Sequence, residues 1–142
     1  MRATGRADLL LCDTSVVVPL VVEDHAHHDV TRRAVGARPL GLSGHAAFEA
    51  FSVLSRLPPP ARRPPAAVQR ILEVGFPETR HLPEDAAGEL LGRLAHLGIA
   101  GGVVYDALVG ASAAHHRLPL ATRDRRAVEV YRSLGVDLLV ID

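Results

Sequence analysis

The stretch that most restricts this chain is Leu9-Leu10-Leu11-Cys12, followed at once by Asp13-Thr14-Ser15. Four apolar residues in a row leave no polar side chain for a solvent face, so they read as a short strand covered on both sides. Such a strand belongs in a parallel sheet between helical layers. Asp13 then marks the strand's carboxyl end, where open parallel sheets gather their ligand sites. A carboxylate placed there either caps the next helix or holds a cation.

The rest of the chain alternates in the same manner. Thr14 to Val22 is apolar around Pro19 and predicts a short or kinked helix. Glu23-Asp24 open a second helix through His25 to about Gly36, and Arg38 to Leu42 reads as a second strand. Ser43 is placed to cap a third helix, Gly44 to Leu57, in which Ala47, Phe48, Phe51 and Leu54 recur at helical spacing. The proline-rich run from Leu57 to Pro65 makes a stiff basic bend, after which Ala66 to Val74 is helical again. Glu78 to Leu82 is a short strand candidate. Pro83-Glu84-Asp85 start a helix running to Leu97, and Gly98 stops it. A helix from about Gly102 to His116, a strand Leu118 to Thr122, a helix Asp124 to Leu134 and a closing strand Asp137 to Ile141 complete the pattern. Alternation of this kind predicts an α/β fold, a three-layer α/β/α sandwich with a mainly parallel sheet.

Composition sets the scale. At 142 residues the chain is expected to form one domain, 1–142, with a core of Ala, Val and Leu. All 16 basic residues are arginine, and 16 acids balance them. Formal neutrality does not by itself suggest a nucleic-acid binder, yet a cluster of acids neutralised by metal would leave a net positive remainder for a polyanion. The one cysteine, Cys12, forms no internal disulfide and suits a reducing cytoplasm. Leu9 to Cys12 superficially resembles a lipoprotein cleavage box, but the apolar run is too short and Leu11 too bulky. No segment is long enough to cross a membrane, and a cytoplasmic protein is expected.

Four acids stand out. Asp13 and Asp124 each follow an apolar strand and precede a helix; both fit plain helix caps, although Thr14, Ser15 and Thr122 could cap instead and free the acids. Glu49 lies within Ala46-Ala47-Phe48-Glu49-Ala50-Phe51, and its bland reading is an exposed acid facing His45 and Arg56. Asp106 has no base within a helical turn, and a first-turn acid favoured by the helix dipole is its bland reading. Carboxylates brought close repel one another, so a cluster of them calls for a compensating cation. Oxygen-only ligands select hard ions such as Mg²⁺ or Mn²⁺, and water held by such an ion can attack a phosphodiester.

Leu11-Cys12-Asp13-Thr14-Ser15, Ser43-Gly-His-Ala-Ala-Phe-Glu49, Tyr105-Asp106-Ala107 and Leu120-Ala-Thr-Arg-Asp124, in that order and spacing, resemble the PIN-domain ribonucleases, specifically VapC-type toxins of toxin–antitoxin pairs. The match extends over nearly the whole chain. It implies a PIN-like fold with acids at the mouth of a parallel sheet, Mg²⁺ or Mn²⁺ as cofactor, RNA as substrate, a VapB-type antitoxin as partner and a homodimer. Carried over by residue, it makes Asp13, Glu49, Asp106 and Asp124 the catalytic and metal-binding quartet, with Ser15 and Thr122 as hydroxyls that orient carboxylates. Arg62 and Arg63 in the proline-rich bend, and Arg123 and Arg125 beside Asp124, are placed to guide RNA phosphates, although ordinary surface arginine explains them equally well. Tyr105 and Phe48 read as core.

Other readings compete. A phosphohydrolase built on Asp13 would want a second acid two residues on and a lysine; position 15 is Ser and the chain has no lysine. A catalytically silent PIN-like protein-binding module would be expected to have lost an acid. A flap-type DNA nuclease shares the acidic architecture but needs longer arches and extra helices. His25, His27 and His28 suggest zinc only weakly: adjacent helical positions point apart, no cysteine assists, and a solvated helix face accounts for them. His115 and His116 suit a helix C-terminus.

Overall fold

A computed structural model describes residues 8–142. Its elements run β1 (Leu10–Cys12), α1 (Thr14–Val21), α2 (His28–Val35), β2 (Leu40–Leu42), α3 (Ala46–Ser55), α4 (Pro65–Gly75), α5 (Glu84–Arg93), α6 (Val103–His116), β3 (Leu120–Thr122), α7 (Val128–Ser133) and β4 (Leu138–Val140). The four strands form one sheet in the order β2-β1-β3-β4, and every pairing is parallel. β1 is therefore interior, with β2 on one side and β3 on the other. The chain leaves β1 in one direction and later returns on its opposite flank. That reversal opens a crevice at the carboxyl end of β1, where Asp13 stands.

Side-chain alternation along β1 separates the two cores. Leu11 joins Leu90, Ala107, Ala113, Leu120, Ala127 and Tyr131 beneath α5, α6 and α7. Leu10 and Cys12 join Val16, Val17, Leu42, Leu54 and Val68 beneath α1, α3 and α4. Leu10, Leu11 and Cys12 are all fully buried, as expected of a strand covered on both faces. Fully burying a Leu side chain contributes about 1.5–3 kcal/mol, so this short strand is a principal anchor of both layers. No helix among the described residues is long and apolar enough to cross a membrane.

Several local expectations are revised. Glu23 and Asp24 lie in turns, and α2 begins only at His28. The helix expected from Asp124 begins at Val128, after a turn. Ser43 does not cap α3, whose N-cap is His45; the Ser43 hydroxyl instead donates to the Val109 carbonyl of α6 at 2.6 Å. Glu78 to Leu82 is not a strand but an irregular segment along the edge of β2, with one bridge between Ser43 and Arg80. Its amides at Glu78 and Arg80 donate to Leu40 and Leu42. The proline-rich bend contains a cis Pro59–Pro60 bond.

That edge segment explains a glycine inside a strand. A Cβ at Gly41 would lie 2.1 Å from the carbonyl oxygen of Glu78 and 2.6 Å from the amide nitrogen of Thr79. Backbone cannot yield as a flexible side chain can, so Gly41→Ala must displace the segment or the strand. Gly88, exposed in α5, has nothing within 4 Å of its Cβ position. In thermal unfolding Gly41→Ala is expected to lower Tm, whereas Gly88→Ala should gain about 0.5–1 kcal/mol and raise Tm by about 2–4 °C. A Gly41→Ala protein as stable as wild type would contradict the close approach.

Candidate functional site

Asp13 ends β1 and is itself the N-cap of α1. Neither Thr14, Ser15 nor Thr122 caps in its place, contrary to the alternative that would have left its carboxylate free. Its Oδ1 accepts from the Ser15 amide at 3.0 Å and from the Ser15 hydroxyl at 2.5 Å. Its Oδ2 accepts from the Thr122 hydroxyl at 2.5 Å and from the Tyr131 hydroxyl at 2.9 Å. The residue is only 4% exposed. Burial pushes its pKa above the ordinary carboxylate value while the Ser15, Thr122 and Tyr131 bonds pull it down without cancelling the rise.

The same hydroxyls reach further. Ser15 Oγ accepts from the Arg123 amide at 2.7 Å, and Thr122 Oγ1 accepts from the Asp124 amide at 3.0 Å. One network thus joins the ends of β1 and β3, the start of α1 and the face of α7. Asp124 lies in the turn after β3, where its Oδ1 accepts from the Arg126 amide at 3.0 Å and its carboxylate stands 3.5 Å from the Arg126 guanidinium.

Glu49 and Asp106 enter from the first turns of α3 and α6. Glu49 Oε1 lies 3.7 Å from His45 Nε2; no ion pair with Arg56 occurs among the described residues. Asp106 is half-buried, with no basic partner in contact among the described residues. Its pKa is raised by burial first, then by the charges of Asp124, Glu49 and Asp13, with Arg126 opposing. Asp106 therefore feels all three other acids. Among the described residues, no group of three or more Asp, Glu, His or Cys side chains is arranged to hold a metal ion as it stands.

The arginines divide differently from expectation. Arg62 Nε donates to the Leu57 carbonyl and Arg63 Nη1 to the Ala61 carbonyl, so both brace their own bend. Arg125 pairs with Asp142. Arg123 Nε is buried without a hydrogen-bond partner. The guanidinium that the acids feel is Arg126, which sequence reading did not single out.

Aromatic placement also corrects the sequence reading. Tyr105 is 52% exposed and Phe48 67% exposed, so neither is core. The Tyr105 ring stacks on His45 with centroids 5.0 Å apart and planes 23° apart, and Phe48 meets His81 at 6.1 Å. The buried aromatic at the site is Tyr131. Its position was readable, because Ala127, Tyr131 and Leu134 fall on one apolar face of a helical segment, where a phenol hydroxyl must find a buried partner. The histidines near α2 do not share a helix face either: His25 Nδ1 accepts from the His27 amide, and His28 Nδ1 is 2.7 Å from the Pro19 carbonyl oxygen.

The PIN domain family model matches residues 10–133. Ribonuclease VapC27 of Mycobacterium tuberculosis is 42% identical over 131 residues, covering 92% of this chain and 96% of the relative. Ribonuclease VapC40 of the same species is 41% identical, covering 91% and 96%. VapBC2 from Rickettsia felis, solved bound to a promoter DNA fragment, superposes with a TM-score of 0.65 at 16% identity, covering 94% of this chain and 99% of that one. Mycobacterium tuberculosis VapC20, a sarcin–ricin loop cleaving toxin, gives 0.53 at 20% identity, covering 94% and 89%. The structural likenesses establish the fold, and the sequence matches establish kinship: the chain belongs to the PIN-domain family, among the VapC ribonucleases.

Proposed function

We propose that this chain, acting as a single catalytic domain in the cytoplasm, is the toxin of a toxin–antitoxin pair. It is a metal-dependent endoribonuclease restrained by a VapB-type antitoxin. Kinship with the VapC ribonucleases supports the reaction class and the kind of partner. The observation that carries the site is Asp106, a half-buried carboxylate on which the charges of Asp124, Glu49 and Asp13 converge; burial first and then these acids hold it above its ordinary pKa, with exposed Arg126 opposing. Such a cluster lacks positive charge.

A hard divalent cation fits this donor set. All four candidate side chains, Asp13, Glu49, Asp106 and Asp124, offer carboxylate oxygen and no nitrogen or sulfur. Mg²⁺ commonly keeps several waters and needs only one or two direct carboxylates, which agrees with four acids that influence one another without closing into a tight cage. We assign these residues to hold Mg²⁺ or Mn²⁺, with Asp13, whose oxygens each accept two hydrogen bonds, giving up one of these bonds to the ion; when bound the ion supplies Lewis acidity and an activated water. The protein's own share is orientation. Asp13 is fixed by four hydrogen bonds, so its direction does not depend on the ion. Ser15, Thr122 and Tyr131 supply those bonds, and burial excludes competing water.

Cleavage of single-stranded RNA by the purified protein is expected to require Mg²⁺ or Mn²⁺ and to stop on chelation. Full activity in excess chelator would overturn the proposal.

Asp106→Asn and Asp13→Asn should separate charge from architecture. A group whose folded pKa is raised contributes stability that is complete below its unfolded value and lost as pH rises through the folded one. Ionised Asp106 therefore weakens the metal-free fold at neutral pH. Asp106→Asn should abolish cleavage yet melt at the same or higher temperature than wild type without metal. That advantage should shrink as pH falls toward the ordinary Asp value, about 3.9. Wild type should gain more from Mn²⁺ than the mutant, because a ligand bound only by the native state shifts the equilibrium. Asp13→Asn should instead lose stability, since an amide NH₂ replaces an oxygen that accepts two hydrogen bonds. If Asp106→Asn is destabilised without metal and responds to Mn²⁺ like wild type, Asp106 is structural.

Tyr131→Phe removes one donor from buried Asp13 and keeps the ring. Hydrogen bonds to charged groups contribute about 1.5–3 kcal/mol, so Tm should fall. With the acid less firmly oriented, kcat should fall while KM holds. An unchanged kcat would show that Ser15 and Thr122 suffice.

A further inference from the structure

Two aromatic side chains stand in solvent beside the acids: Phe48 immediately precedes Glu49, and Tyr105 immediately precedes Asp106. Scattered exposed apolar residues are ordinary on protein surfaces. Tyr105 differs because its ring is already oriented. His45 covers one face at 5.0 Å, nearly parallel, while about half of the residue stays in solvent. His45 itself comes from the N-terminal end of α3, and its Nε2 approaches Glu49 Oε1 at 3.7 Å. Ring, imidazole and carboxylate thus form a continuous path from an open aromatic surface to the acid cluster.

Without a bound cation, the chain's formal charge gives RNA no net attraction to that cluster. Acids and arginines balance at 16 each. Arg62 and Arg63 are tied to carbonyls of their own bend and Arg125 is paired with Asp142, while largely exposed Arg126 stands beside Asp124. Four carboxylates repel phosphate until a cation is present. Unpaired bases stacking on aromatic rings add affinity that does not depend on net charge.

We propose that Tyr105, backed by His45, is the stacking platform for an unpaired nucleobase next to the phosphodiester that lies among the acids. This rests on the ribonuclease reading above. A base stacked there anchors the strand at the rim of the site. Duplex RNA, whose bases are already stacked on one another, gains nothing from it. The preference for single-stranded segments is thereby built into the first turn of α6.

The test uses a short fluorescein-labelled single-stranded RNA of mixed sequence, and the same strand annealed to its complement. Binding is followed by anisotropy with Mn²⁺ in an Asp106→Asn background that leaves the strand uncut. Tyr105→Leu should weaken single-strand binding about fivefold to a hundredfold, the range for one base stacked on an aromatic ring. The loss should persist at raised salt, since no charge is removed. Duplex binding should not change, and Tyr105→Phe should bind like Tyr105. In the otherwise wild-type enzyme, Tyr105→Leu should raise KM more than it lowers kcat, with Tm unchanged. Equal single-strand affinity for Tyr105→Leu in a protein that cleaves RNA overturns the platform and leaves the ribonuclease reading standing. Absence of cleavage by the wild type overturns that reading itself. Sedimentation supplies the last arm: a dimer that Tyr105→Leu splits into monomers makes the ring a contact between two copies and refutes the proposal.

Discussion

The structure depends on a buried carboxylate that is fully bonded. Placing a charged group at the end of an interior strand is costly unless every lone pair finds a donor. Asp13 meets that condition with two donors on each oxygen. The donors come from α1, β3 and α7, so satisfying the carboxylate also fixes where those elements meet. Each of the three hydroxyls thus bears on both the packing and the acid's direction. Folding and the site's geometry are therefore coupled at a single residue.

This coupling explains the small residues around it. A Cβ at Gly110 would come within 2.8 Å of the Tyr131 ring and 3.2 Å of a Leu134 methyl. α6 must therefore be bare at that point for α7 to lie against it and for the Tyr131 hydroxyl to reach Asp13. Ser112 and Ser43 serve the opposite flank of α6. Ser112 donates to the Arg80 carbonyl at 3.0 Å, and Ser43 to the Val109 carbonyl at 2.6 Å. α6, which carries Asp106, is thus held from both sides by short contacts.

The architecture was legible because its signals are local and redundant. An all-apolar strand, glycines after helices and the alternation of strands with helices each point to a parallel sheet between two helical layers. The four acids were singled out because each interrupts an apolar context and ordered motifs reinforced the choice; in the fold, Asp106 feels the charges of the other three. What escaped depended on contacts distant in sequence. Glu78 to Leu82 has strand-like residues, yet it crosses Gly41 at an edge and makes only irregular bonds. Ser43 looks like a helix cap until α6 presents the Val109 carbonyl. Tyr105 and Phe48 look like core because their hydrophobicity does not reveal that the helix faces carrying them point outward. Tyr131 is the reverse case, a residue whose polar end acquires meaning only when β1 and α7 are brought together across 118 positions of sequence.

The acids are consequently of two kinds. Asp13 is buried, saturated with donors and fixed in direction whatever occupies the crevice. Glu49, Asp106 and Asp124 are half-exposed, and three other acids bear on Asp106 against the opposing effect of Arg126. The first kind supplies geometry; the second supplies charge, and the repulsion it brings to Asp106 weakens the metal-free fold. An added arginine near Asp106 would relieve the repulsion and stabilise the metal-free protein, but it would also occupy the charge deficit that a cation needs. Stability gained in that way comes at the expense of the site, a conflict common where function requires unfavourable charge. The basic residues beside Asp124 offset the cluster only in part. Arg125 is paired with Asp142, and Arg126 reaches Asp124 only at 3.5 Å from a largely exposed position. Arg125 turns away from the crevice and Arg126 stands at its rim, so the repulsion on Asp106 is opposed but not removed.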